Sequence, residues 1–186
     1  MIDREKIKEA FVDIISSIGD DPNREGLRDT PERVSIMYEK LFSGIHEDPS
    51  SVLSTGFQES HEEVVIVRDI SFFSICEHHF LPFYGAAHIG YVPNGKVIGA
   101  SKIARALDIL ARRPQLQERL TDQIVDAVQN TVNPEGVIAL LSASHMCMTI
   151  RGVEKTDSKV VTSASRGSFK SLPNRREEFF SLLRGI

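Results

Sequence analysis

Residues 83–91 read Phe83-Tyr84-Gly85-Ala86-Ala87-His88-Ile89-Gly90-Tyr91. Every second position from Phe83 to Tyr91 would lie on one face of a β-strand, because successive strand residues point to opposite sides. The stretch therefore predicts a strand with one apolar face. The sequence Pro93-Asn94-Gly95 that follows it predicts a turn.

Around this strand, the predicted helices and strands occur in separate blocks. Apolar residues at helical spacing predict helices, which cover residues 3–18, 31–42, 101–112, 115–128 and a segment that starts at Pro173. β-Branched or alternating runs predict strands, which cover residues 64–67, 136–150 and 159–164. Residues 44–62 follow neither period and predict a loop. Blocks of this kind favour an α+β fold with a largely antiparallel sheet over a doubly wound parallel sheet.

The composition limits the class of protein. The chain has 186 residues, of which 41% are hydrophobic and 26% are charged, as expected for one ordinary globular domain. Lys and Arg total 22 against 26 for Asp and Glu, so no overall basic field would hold a nucleic acid. The charged start Met1-Ile2-Asp3-Arg4-Glu5-Lys6, with no apolar run of about 18 residues in the chain, predicts a cytoplasmic protein without a membrane partner.

Residues 74–83 form the densest polar cluster in an apolar setting. Cys76 and His79 stand three positions apart, so a tight turn can direct a thiolate and an imidazole at one ion, as zinc prefers. The second thiol, Cys147, follows His145 by two positions. If this stretch is a strand, its period of two places both side chains on one face. The sequence therefore predicts a third ligand and a free imidazole nearby.

The number of ligands indicates the kind of metal site. Structural zinc sites usually have four protein ligands, and the sequence offers no third cysteine. A site with three ligands leaves a position for water, whose pKa zinc lowers to about 7. His78 and His145 would then be available for proton transfer, since the pKa of imidazole lies near neutral pH. The alternative is that the cysteines are core thiols or a redox pair and that the histidines are surface or satisfied core residues.

A second group of candidates could bind phosphate and a purine base. Lys102 and Arg105 lie three positions apart next to Ser101, at a predicted helix start where free backbone N–H groups favour an anion. A phosphate chain suits this arrangement, but a solvated helix face explains the same pattern more simply. Glu118 can accept both donors of a guanine in a bidentate pair, although by itself it resembles an ordinary surface charge.

The separated motifs together resemble the GTP cyclohydrolase I family, whose members are zinc enzymes at the start of pterin biosynthesis. The resemblance covers most of the chain and rests on motifs in the same order. They are Glu25-Gly26-Leu27, Thr30-Pro31-Glu32-Arg33-Val34, Cys76-Glu77-His78-His79, Pro82-Phe83, Gly85, His88, Tyr91, Gly99-Ala100-Ser101-Lys102, Arg105, Arg113, Gln115, Gln117-Glu118-Arg119-Leu120-Thr121, His145-Met146-Cys147-Met148 and Arg151-Gly152-Val153.

The resemblance implies a tunnelling fold (T-fold), in which an antiparallel sheet and paired helices assemble into rings. The rings are commonly a homodecamer of two stacked pentamers, with the pocket built from neighbouring subunits. Residues 1–62 would form an N-terminal helical region and residues 63–186 the tunnelling-fold catalytic domain, as one continuous structural unit.

The resemblance also implies roles for individual residues. The implied zinc ligands are Cys76, His79 and Cys147. The implied proton-transfer residues are His78, His145 and Ser101. The residues implied to bind the guanine, ribose and triphosphate of GTP are Gln117, Glu118, Ser101, Lys102, Arg105 and Arg151.

The implied reaction opens the purine ring by hydrolysis at C8, releases formate and rearranges the ribose to give 7,8-dihydroneopterin triphosphate. It needs Zn2+ but no redox cofactor, and it would make the protein an allosteric hydrolase of one-carbon metabolism and tetrahydrofolate biosynthesis. The alternatives are another tunnelling-fold enzyme acting on a pterin or purine, and a catalytically silent, ring-forming nucleotide-binding module. A zinc deaminase is disfavoured because the H-x-E and P-C-x-x-C signature is absent.

Overall fold

The computed structural model describes residues 2–185. Its helices are α1 (Arg4–Ser17), α2 (Thr30–Leu41), α3 (Ser50–Leu53), α4 (Ala100–Ala111), α5 (Gln117–Val132), α6 (Met146–Thr149), α7 (Ser168–Ser171) and α8 (Pro173–Arg184), with a 3-10 turn at Ser43–His46. Its strands are β1 (Gly56–Gln58), β2 (Val65–Cys76), β3 (Pro82–Val92), β4 (Lys96–Ile98), β5 (Pro114–Gln115), β6 (Gly136–His145) and β7 (Val160–Gly167). The chain divides into two compact units, residues 1–43 and 44–186.

The first unit contains the helix pair α1 and α2. The Asp3 carboxylate caps α1 by accepting a 3.1 Å hydrogen bond from the backbone N–H of Lys6. Between the helices, the rings of Phe11 and Tyr38 meet edge to face at 5.8 Å. Arg4 forms an ion pair with Glu32, so apolar and charged contacts both join the pair. The two helices predicted for this region are confirmed.

The second unit is built on a five-stranded sheet in the order β5-β2-β3-β6-β7. The pairings β2–β3, β3–β6 and β6–β7 are antiparallel, and only the two-residue β5 runs parallel to its neighbour β2. Helices α4 and α5 pack against this sheet and against each other. The α+β class and the tunnelling-fold arrangement of an antiparallel sheet with paired helices are therefore confirmed, whereas the domain boundary at residue 62 stays a prediction.

The central strand β3 shows why the sheet has two different faces. Phe83, Ala87, Ile89 and Tyr91 are fully buried in the core that α4 and α5 share, which confirms the predicted alternation. The intervening residues face the other way, where Val92 packs with Phe169 and Phe179 of α7 and α8 at one end of the sheet. The other end of the sheet carries the functional candidates.

Two predictions of local structure outside the Cys147 region are wrong. Residues 44–62 are not a simple loop, because they include α3 with the fully buried Leu53 and the strand β1, which pairs with β4. The strand predicted at residues 64–67 extends to Cys76. A β-bulge between Val67 and Ile70, with Asp69 at φ 57°, interrupts the alternation that would have revealed the longer strand.

No helix within residues 2–185 combines the length and the apolar character needed to cross a membrane.

Candidate metal centre

The connection from β2 to β3 forms one side of the candidate site. Strand β2 ends at Cys76, whose backbone carbonyl accepts a 2.9 Å hydrogen bond from the N–H of Phe80. The N–H of Cys76 in turn donates to the carbonyl of Leu81 at 2.9 Å. Phe80 has a positive φ of 53°, which closes the turn. The tight turn expected from the spacing of Cys76 and His79 is therefore present.

Cys147 reaches the site by a different route from the predicted one. Strand β6 ends at His145, and residues Met146–Thr149 form the helical turn α6, so the prediction of a strand through Cys147 is wrong. The N–H of Ile150 donates to the carbonyl of Met146 at 3.1 Å and closes this turn. Because the strand ends at His145, its period of two does not extend to Cys147, and the two side chains contact different partners.

Cys76, His79 and Cys147 lie together, with their candidate ligand atoms all within 4.8 Å of one another. Zinc with Zn–S bonds of about 2.3 Å and tetrahedral geometry requires ligand atoms about 3.8 Å apart, so only a small contraction is needed. Both thiols are free rather than joined in a disulfide, so both sulfurs are available as ligands. Within residues 2–185 this is the only such group of His, Cys, Asp or Glu side chains.

The chemistry of this donor set also fits zinc. Zinc binds well to sulfur and imidazole nitrogen, whereas magnesium and calcium prefer oxygen ligands. A set of two sulfurs and one imidazole nitrogen therefore favours zinc. Burial raises the pKa of the Cys147 thiol, and the neighbouring Cys76 raises it further. A bound cation would reverse this effect and displace the proton, because the thiolate is the ligand. Cys76, His79 and Cys147 are therefore the residues that could hold a metal.

Arg151 and His78 both lie next to the ligand His79. The Arg151 guanidinium donates a hydrogen bond to Nε2 of His79. The ring centroid of His78 lies 6.3 Å from that of His79, at an interplanar angle of 89°. All three side chains are exposed, so a substrate could reach them. The structure thus brings two further predicted residues to the metal centre.

His145 is held beside the metal centre by two contacts. Its ring stacks on Phe83 with centroids 4.6 Å apart and planes within 6° of parallel, as the pairing of these residues across β3 and β6 permits. Its Nε2 lies 2.8 Å from Oε1 of Gln117, the first residue of α5. Burial lowers the pKa of His145, and the negative charge of Glu118 partly opposes this shift. The ring is therefore neutral at neutral pH.

Gln117 and Glu118 differ sharply although they are adjacent. The Gln117 side chain is buried and bonded within the protein, whereas Glu118 is exposed. Within the described residues, the Glu118 carboxylate makes no hydrogen bond or ion pair. Its nearness to His145 places a free carboxylate at the metal-bearing end of the sheet.

An ion pair between Arg119 and Glu77, which is not predicted from the sequence, supports the turn from Cys76 to Phe80. Arg119 donates two hydrogen bonds to Glu77, with Nη2 at 3.0 Å from Oε1, and these bonds lower the pKa of the Glu77 carboxyl. The backbone N–H of Glu77 also donates to the carbonyl of Gln115 at 3.1 Å. Both partners lie inside motifs that carry the family resemblance, but no spacing rule connects residues 42 positions apart.

Ser101, Lys102 and Arg105 lie in the N-terminal half of α4. They occupy the first turns of α4, whereas the last residue of that helix, Ala111, accepts a 2.6 Å hydrogen bond from Ser74 near the end of β2. The ten-residue separation of Ser101 from Ala111 corresponds to about 15 Å along a helix. Within the described chain these three side chains make no hydrogen bond or ion pair. Ser101 and Lys102 therefore lie far along α4 from the helix end that contacts β2 near Cys76.

Comparisons with known proteins agree on one family. A family model described as GTP cyclohydrolase I matches residues 7–184. GTP cyclohydrolase 1 of Pelotomaculum thermopropionicum is 55% identical over 186 residues, covering 100% of this chain and 99% of that protein. GTP cyclohydrolase 1 of Halalkalibacterium halodurans is 54% identical over 185 residues, covering 99% of this chain and 98% of that protein.

A solved structure is also similar over part of the chain. The apo form of the archaeosine synthase QueF-Like superposes with a TM-score of 0.47 at 19% sequence identity. The match covers 56% of this chain and 93% of that protein.

Proposed function

The chain belongs to the GTP cyclohydrolase I family, and from this membership we propose that it is a zinc-dependent hydrolase acting on the cyclic amidine of GTP. Its products would be formate and 7,8-dihydroneopterin triphosphate. The observation that carries the proposal is the convergence of Cys76, His79 and Cys147 beside His145, in a chain matched from end to end by enzymes of this name.

The residues of the metal centre divide the chemistry between them. A zinc ion held by Cys76, His79 and Cys147 would supply an activated water for hydrolysis at C8. His145, neutral and held against Phe83, exchanges a proton with the purine ring nitrogen as the ring opens. His78 and Ser101 carry protons during the later rearrangement of the ribose, and the exposure of both side chains is compatible with this role.

The test of this function is a product analysis of the purified, zinc-loaded protein with GTP. We expect one formate per GTP and a product that gives neopterin fluorescence after oxidation. A chelator should stop both signals, and added zinc should restore them, because the ligands can be reloaded. Release of ammonia without formate would instead identify a deaminase, and the absence of any product would indicate a nucleotide-binding module.

Glu118 is proposed to bind the guanine through a bidentate pair of hydrogen bonds. The exposed, unbonded carboxylate beside His145 supports this role. Replacing Glu118 with Gln should keep zinc in place and raise the KM for GTP by about tenfold or more, because an amide donor would then oppose a guanine donor and the charge assistance is lost.

Steady-state kinetics and elemental zinc analysis measure these two effects. Glu135→Gln is a matched control, because Glu135 is equally exposed and its side chain makes no hydrogen bond within the described residues. An unchanged KM in Glu118→Gln would remove Glu118 from the guanine site.

We propose that the triphosphate binds between two subunits of a homo-oligomer, which is commonly a decamer in this family. It would contact Arg151 of one subunit and Ser101, Lys102 and Arg105 of a neighbour. The separation of about 15 Å along α4 supports the sharing of a site between chains. Isologous or cyclic contacts are the usual way in which such a shared site is built. Cytoplasmic localisation and allosteric control remain predictions.

Co-expressing two impaired variants tests the shared site. Co-expressed Lys102→Ala and Cys147→Ser chains should regain activity, because some pockets receive an intact metal centre from one chain and an intact Lys102 from the other. Random assembly of equal amounts would restore about one quarter of the pockets. Each variant expressed alone is the control. If the mixture shows no more activity than the single variants, the pocket lies within one chain.

A further inference from the structure

The side chain of Gln117 is completely occupied by hydrogen bonds inside the protein. It is 1% exposed, and its Oε1 lies 2.8 Å from Nε2 of His145. Its Nε2 donates to the backbone carbonyls of Leu141 at 3.2 Å and Val160 at 3.0 Å. The same nitrogen lies 3.1 Å from Oγ1 of Thr162, so its two protons are shared among three acceptors. No group of this amide remains free for a substrate.

Two threonines fix the directions of these hydrogen bonds. Thr121 donates its hydroxyl proton to the backbone carbonyl of Gln117 at 2.7 Å, since a carbonyl can only accept. Thr121 and Thr162 are 2.6 Å apart, and Thr121 has no second proton, so Thr162 must donate to Thr121. The oxygen of Thr162 then accepts from Gln117. These bonds form a closed ring in which every proton has one direction.

The ring determines which way the Gln117 amide points. Rotating the amide by half a turn would place its oxygen against the carbonyl oxygens of Leu141 and Val160, where neither partner could donate. The oxygen of the amide therefore faces His145. Since an amide oxygen only accepts, the proton between them belongs to Nε2 of His145, and the lone pair of the neutral ring lies on Nδ1.

From this ring we infer that Gln117 is a positioning residue, which holds the Nε2 proton of His145 so that the ring exchanges its mobile proton through Nδ1 alone. The inference rests on the proposed function. In the step, Nδ1 of the neutral ring takes up the proton that the attacking water loses and passes it to the purine nitrogen as the ring opens, so the imidazole ends neutral with its own proton still on Nε2. Stacking on Phe83 fixes the plane of the ring while Gln117 fixes its rotation within that plane.

This role differs from guanine binding in what it does to kinetics. Replacing Gln117 with Met keeps the approximate length of the side chain but removes the acceptor. We expect kcat to fall by about 10–100-fold, as for other groups that orient a reacting histidine, with little change in the KM for GTP and in zinc content. A higher KM for GTP with an unchanged kcat would assign Gln117 to guanine binding and overturn the inference.

Two further variants make the comparison specific. Gln129→Met is the matched control, because Gln129 lies on the same helix and donates to a backbone carbonyl, that of Pro134 at 3.1 Å, without contacting His145. It should keep the parent kcat. Thr162→Val removes one acceptor of the Gln117 amide but leaves two carbonyls, so it should lower kcat less than Gln117→Met does.

The tautomer itself can be measured without any substrate. Nitrogen NMR shifts of the zinc-loaded parent, labelled with isotopic histidine, should show His145 with Nε2 protonated and Nδ1 bare, and a His145→Asn variant identifies its signals. A proton on Nδ1 would overturn the inference even if the enzyme releases formate. Failure of the parent to release formate, with the expected tautomer present, would instead refute the proposed function.

Discussion

Replacing Cys147 with serine is expected to remove the metal and to lower formate release from GTP by at least about 1,000-fold. A serine hydroxyl is a much weaker zinc ligand than a thiolate, and two remaining ligands do not hold the ion against buffer. A metal contributes several kcal/mol of transition-state stabilisation, and each 1.36 kcal/mol is tenfold in rate. Elemental analysis and a formate assay on the same preparation measure both losses.

The variant is conservative enough to separate metal loss from unfolding. Cys147 is only partly buried, and serine fills nearly the same volume, so circular dichroism should show an unchanged fold. Met148→Leu, one position further along the same helical turn, is the control and should keep zinc and activity. A Cys147→Ser protein with full zinc content and full activity would refute the assignment of the metal centre.

The second large effect is expected for Gly85→Ala in the central strand. A Cβ at this position would lie 1.9 Å from the carbonyl oxygen of Ser142 and 2.6 Å from Cα of Ala143. Both atoms belong to the backbone of β6, which cannot move without shifting the strand pairing. Overpacking typically costs about 1–3 kcal/mol, and we expect the free energy of unfolding to fall by an amount at or above the upper end of that range.

Chemical denaturation of the zinc-loaded protein measures this loss. The neighbouring Ala86→Ser is the control, because the Ala86 side chain is only partly buried and points to the opposite face of β3 from the position that a Cβ at Gly85 would take. That substitution should change the free energy of unfolding by no more than about 0.5 kcal/mol. If Gly85→Ala were equally harmless, the close approach of β3 and β6 at this point would be wrong.

The parts of the fold and site that the sequence predicts are those with a local signal. The alternation from Phe83 to Tyr91 is a property of neighbouring residues, and the structure confirms it in β3. Cys76 and His79 are three positions apart, so their convergence also depends only on a local turn. The count of two cysteines then pointed to Cys147 as the remaining sulfur ligand.

The parts that the sequence could not predict depend on distant partners. Strand β2 continues past a bulge at Asp69 that breaks its period, and it is held there by pairing with β3. The orientation of the Gln117 amide depends on the carbonyls of Leu141 and Val160, which no local pattern connects to it. The helical turn at Cys147 similarly replaces a strand that the preceding residues would continue.

The short parallel pairing between β2 and β5 also constrains how this protein could be lengthened. Ile75 and Cys76 pair with Pro114 and Gln115, so the linker between α4 and α5 is bonded directly to the first metal ligand. Extra residues inserted into this linker would alter the register at Cys76. We therefore expect an insertion at this connection to displace Cys76 from the metal centre, although the connection joins two helices at the periphery of the sheet.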